Sequence, residues 1–128
     1  MTDNEIAGTV ELRVPAATAY VAVLRSVTAG LAARCDLTLD EIEDLRIAVD
    51  EACALLIPLT AASADLTTTF TMGRGELVIS SHVPAQTEPK RDGFGWTVLA
   101  ALATEVSVEN DGETTTITLT KRREPAQQ

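Results

Sequence analysis

Residues 48–57 read AVDEACALLI, an apolar helical run that carries Glu51 in its middle and a leucine, Leu55, one turn later. The run belongs to a longer helix whose ends are written in the sequence. Thr38 and Glu41 have the Thr-x-x-Glu spacing of a capping box, in which hydroxyl and carboxylate satisfy unpaired backbone N–H groups, and Pro58 stops the helix. A helix over about 39–57 is therefore expected. At about 100° per residue, Ile42, Leu45, Val49, Ala52, Cys53 and Leu56 gather on one stripe, the side that packs on a sheet. Glu51 falls nearly opposite, among Asp44, Ile47, Ala48, Ala54 and Leu55. Glu43, Arg46 and Asp50 lie between and read as solvated, with Arg46 and Asp50 one turn apart as a weak ion pair. Two readings of Glu51 follow. It sits in water, or this second face lines a pocket or partner surface where a carboxylate acts as a base or orients water.

Outward from that helix, the pattern alternates between period two and helical spacing. TVELRV (9–14) alternates as a half-buried strand closed by Pro15, and residues 16–35 carry helical spacing at Ala17, Tyr20, Val21, Leu24, Val27 and Leu31. DLTTTFTM (65–72) and ELVISSHV (76–83) are β-rich runs joined by Gly73-Arg74-Gly75, a hairpin signal. Residues 83–93 read as a loop, 96–103 as a short buried helix. EVSVEN (105–110), an Asn-Asp-Gly turn and ETTTITLT (113–120) form a second hairpin. The order β, α, α, β, β, α, β, β predicts an α+β two-layer sandwich, a five-stranded mixed sheet with three helices on one face.

A chain of 128 residues with 45% hydrophobic content builds one core. A single domain over 1–128, ordered from about 8 to 123, is expected. Nineteen acidic against ten basic residues give a net charge of -9, which repels phosphate backbones and argues against nucleic acid as a partner. No apolar run is long enough to span a bilayer and the first residues lack the pattern of a signal peptide, so the expectation is a cytoplasmic protein with no membrane partner. Cys35 and Cys53 lack metal-site spacing and read as small apolar residues. His82, the only histidine, leaves no multi-histidine metal site to build, and no metal ligands are assigned.

The helix DLRIAVDEAC (44–53), the segment from Gly93-Phe94-Gly95 to Arg122, and the element order together resemble the anti-sigma factor and serine-protein kinase family of the histidine-kinase-like (GHKL) ATPases, in its stress-response branch. The likeness runs from about residue 9 to 123. It implies an ATP and magnesium site. In that family a Glu-x-x-x-Asn motif supplies a catalytic base and a magnesium ligand. Glu51 matches the base, but Leu55 stands at the asparagine position and offers no oxygen to a hard cation. The family's adenine-anchoring Asp is absent from VISSHVPAQTEP (78–89), where Ser81 or His82 would be partial substitutes. The segment matching the ATP lid is at most residues 84–92. Gly93 and Gly95 match a phosphate-binding glycine loop at a helix start, although a G-x-G there reads equally as a tight turn under Trp96.

The resemblance therefore implies an anti-sigma factor with degenerate ATP binding, a homodimer that sequesters a sigma factor and is counteracted by an anti-anti-sigma partner. An acidic chain suits basic sigma surfaces. The alternative is an active ATP-dependent serine kinase that phosphorylates the anti-anti-sigma factor. A third reading is a scaffold within another signalling switch.

Overall fold

The computed structural model describes residues 7–125. Strand β1 (Gly8–Pro15) leads through one 3-10 turn (Thr18–Tyr20) into helices α1 (Val21–Arg34) and α2 (Leu39–Leu56). A second 3-10 turn (Ile57–Leu59) precedes the hairpin β2 (Asp65–Gly73) and β3 (Glu76–Pro84), then come helix α3 (Phe94–Leu102) and the hairpin β4 (Glu105–Asn110) and β5 (Thr114–Arg122).

The five strands form one sheet in the order β1-β2-β3-β5-β4. Every neighbouring pair is antiparallel, which corrects the expected mixed sheet. Two features of the chain path explain it. Two helices separate β1 from β2, so the chain reverses three times, an odd number, and the strands come back antiparallel. The β3–α3–β4 crossover does make β3 and β4 parallel, but β5 inserts between them, so no parallel pair shares hydrogen bonds.

Alternation along the strands separates a dry face from a hydroxyl-rich one. Across the sheet, Val10, Phe70, Ile79, Leu119 and Val106 stand in one row, and Thr68, Ser81, Ile117 and Val108 in the next. Phe70, Ile79, Ile117 and Leu119 are buried beneath the helices. The opposite face carries Thr69, Ser80, Thr118 and Ser107 in register, with no helix over them.

Local chemistry sets the element ends. Thr38 and Glu41 form the expected capping box at the start of α2, with Glu41 Oε1 accepting from Thr38 N at 2.8 Å and Thr38 Oγ1 accepting from Glu41 N at 3.2 Å. α1 starts later than its apolar spacing suggests because Ala16 N still donates to Ala64 O at 2.9 Å, finishing the sheet edge before the helix begins. It ends at Arg34, two residues before Asp36, whose φ of 63° turns the chain out of the helical path. α3 starts two residues earlier than expected, at Phe94. Gly75 and Gly112 supply the positive φ that the two hairpin turns need.

Candidate functional site

The stripe of α2 aimed at the sheet is buried as its spacing requires, with Leu45, Val49, Ala52, Cys53 and Leu56 in the core and Ile42 partly buried against it. The second face is only partly open to water, with Ile47 and Ala54 exposed. Ala48, placed there by its spacing, is 0% exposed because α3 lies across it. α3 runs antiparallel to α2. Its first turn abuts Glu51 and Leu55, while Lys121 Nζ donates both to Leu102 O at its far end (2.7 Å) and to Asp44 Oδ2 near the start of α2 (3.2 Å).

Three of the four residues singled out in the sequence meet at this crossing. A Cβ built on Gly95 would lie 2.8 Å from Glu51 Oε2 and 3.3 Å from Leu55 Cδ2, so the first turn of α3 packs directly on these two side chains, which would have to shift to admit a methyl group. Gly93 stands apart. Nothing lies within 4 Å of a Cβ built on it, and it serves as the N-cap of α3, its carbonyl accepting from Thr97 N and Thr97 Oγ1. Glu51 is half-buried and Phe94, between the glycines, is exposed.

The residues present do not fit the ATP and magnesium that the resemblance implies. Leu55 turns an alkyl group to the spot where a hard cation needs oxygen. The neighbouring acids are engaged elsewhere, Asp50 with Arg25 at 2.9 Å and Asp44 with Lys121. Among the described residues no group of three His, Cys, Asp or Glu side chains could hold a metal ion. Nor does either substitute for the adenine anchor serve. Ser81 is buried on the helix side with its hydroxyl bonded to Thr68 Oγ1 at 2.8 Å, while His82, in the middle of β3, pairs with Thr67 and Thr116 on the other face.

The connection from β3 to α3 is stapled to the β4–β5 hairpin. Ala85 N donates to Glu113 O (2.9 Å), Asn110 Nδ2 to Ala85 O (3.1 Å), Thr115 Oγ1 to Thr87 O (2.6 Å) and Arg91 Nη2 to Val108 O (3.2 Å). The Arg91 guanidinium also lies 5.6 Å from the centre of the Trp96 ring, a cation–π distance.

Sequence spacing missed these staples, since nothing local marks Arg91, Asn110 or Thr115 as partners of a distant loop. It also mispaired two charges. Arg46 bonds Glu43 at 3.0 Å rather than Asp50, because Arg25 reaches Asp50 from α1. The cysteines behave as packing residues. Burial pushes the Cys53 thiol up to about 12 and raises Cys35 as well, which removes the thiolate that reactive chemistry needs. No helix of the described residues is long and apolar enough to cross a membrane.

Comparison with known proteins bears on the same elements. The model of the histidine kinase-like ATPase domain matches residues 14–121. The anti-sigma-F factor RsbW of Mycobacterium tuberculosis (strain H37Rv) is 34% identical over 123 residues, covering 89% of this chain and 73% of that protein. The serine-protein kinase RsbW of Bacillus subtilis is 29% identical over 135 residues, covering 88% and 84%. In the crystal structure of the RsbU and RsbW domains of Rv1364c from M. tuberculosis, the same fold recurs with a TM-score of 0.68 at 18% identity. That match covers 90% of this chain and 32% of the other, so the chain spans about a third of that structure's length. From the strand before α1 to the last residues of β5, in sequence and in fold, the chain belongs to the family of histidine kinase-like ATPase domains.

Proposed function

We propose that this chain is an anti-sigma factor, a single-domain cytoplasmic protein that sequesters a sigma factor and is released from it by an anti-anti-sigma partner. The observation that carries the reading is the 34% identity, across 89% of the chain, to a protein named as an anti-sigma-F factor. Physical features support it. A net charge of -9 complements a basic, DNA-binding partner and disfavours direct contact with nucleic acid. The reading includes a homodimer. Its natural seat is the helix-free face of the sheet, where the middle of β2, β3 and β5 presents Thr69, Ser80 and Thr118, and the carboxylates of Glu11 and Glu109 are kept to the edge strands.

The test is capture of sigma factors from the source cell on the purified chain, followed by measurement of affinity with the isolated partner. Submicromolar binding and inhibition of transcription by that sigma factor are expected. Capture of anti-anti-sigma proteins with no sigma factor would reject the reading. A second reading, an ATP-dependent serine kinase acting on the anti-anti-sigma factor, is favoured by one observation: Glu51 is retained in a chain 29% identical to a protein named as a serine-protein kinase.

A further inference from the structure

We infer that the seam between α2 and the first turn of α3 is closed by the chain's own side chains, Glu51 and Leu55 against Gly95, and that the protein works without ATP or magnesium. This goes beyond the sequestering role and does not depend on which partner is bound.

The contact at Gly95 carries the inference. Glu51 Oε2 and Leu55 Cδ2 approach so closely that even a methyl group on Gly95 would meet them, at 2.8 and 3.3 Å. A phosphate seeking the amides of this turn from the α2 side meets a carboxylate already there. The family's Glu-x-x-x-Asn sites carry the same carboxylate beside the nucleotide, so what decides is whether a cation can offset its repulsion of a second anion. A cation could offset that repulsion only with further oxygen ligands, and Leu55 supplies none. On the other flank, the segment before α3 is tied down by Thr115, Asn110 and Arg91, so α3 is held from both sides by protein contacts alone.

Two measurements decide it, neither of which needs a partner. The first is thermal unfolding of Gly95→Ala, Glu51→Ala and the double variant. Alanine gains helix propensity over glycine in either background, so the contact is read from the cycle: Gly95→Ala is expected to be less favourable to Tm in the natural chain than in the Glu51→Ala chain, where the added methyl has room. An equal change in Tm in the two backgrounds overturns the contact. The second is calorimetry and unfolding of the natural chain with millimolar ATP and magnesium. No heat of binding and no rise in Tm are expected, since a ligand that binds only the native state must raise it. Magnesium-dependent ATP binding overturns the inference even if Gly95→Ala fails to fold. Because both are read on the chain alone, their failure is distinguishable from a failure to capture a sigma factor.

Discussion

Glu41 serves two backbone donors at once. Its Oε1 closes the capping box on Thr38 N and its Oε2 accepts from Glu124 N at 2.7 Å, so one carboxylate fixes both the start of α2 and the chain beyond β5. Burial alone would raise its pKa. The hydrogen bonds from Thr38 and Glu124, with Lys121 nearby, outweigh that and hold it below the ordinary 4.5 of a glutamate. A carboxyl depressed in the folded state contributes stability that is complete above its unfolded value and is lost as pH falls through the folded one. The advantage of the natural chain over Glu41→Gln should therefore be constant near neutrality and shrink below about pH 4.5, read from urea unfolding at each pH. Thr38→Ala removes the reciprocal half of the box and should cost about 1 kcal/mol at neutral pH. This residue pair was legible in the sequence because a capping box is local: three residues of spacing state the whole geometry. Glu124's share in it was not, since that contact joins residues 83 apart.

At the scale of elements, the stripe on α2 and the two hairpins could be read from period and turn chemistry, which depend on neighbours in the chain. What escaped was contact between elements. Ala48 was placed on a second face that either met water or lined a pocket or partner surface, whereas it is buried, and Asp50 was given to Arg46 when Arg25 on α1 reaches it. Both misses share one cause: periodicity tells which sides of a helix are apolar, but not what lies against them. Lys121 is the clearest case of a tertiary role with no local signal. It is 8% exposed, yet it joins β5, α2 and α3 through Asp44 and Leu102 O. Lys121→Met keeps much of the bulk but leaves the Leu102 carbonyl without this donor. It should cost about 1–3 kcal/mol by denaturant unfolding, the usual penalty for stranding a polar group away from water. Faster amide exchange in the last turn of α3 should accompany it. Arg122, whose pairs with Glu76 and Glu105 are exposed, should tolerate replacement with a measurably smaller loss.

For the whole molecule, charge and the helix-free sheet face govern association. If the sigma factor is drawn in by unlike fields, its association rate should fall steeply as salt rises past the range where the Debye length is about 10 Å, with a weaker effect on dissociation. Stopped-flow measurement at several salt concentrations reads this directly, and a salt-independent rate would assign the interface to apolar contact. For the homodimer, Thr69→Lys puts a cation on the middle of the face from each protomer. Sedimentation should show the natural chain as a dimer and the variant shifted toward monomer, with Tm of the isolated fold little changed because Thr69 points away from the core. At this scale the sequence was half legible. Element order gave the two layers and the number of strands, but the direction of the pairing depended on β5 entering between β3 and β4, a choice of path that no local pattern records.

That same path has a consequence for synthesis. β5 is the last strand to leave the ribosome, and it takes an interior place in the sheet. Until it arrives, β3 is paired with β2 on one side only, and the backbone donors and acceptors of its other side face no partner, beside apolar side chains such as Leu77 and Ile79. The nascent chain therefore carries a strand ready to pair with a stranger until β5 has emerged. Stalled or truncated products that stop after β4 should be the aggregating species in cells, while chains that include β5 stay dispersed.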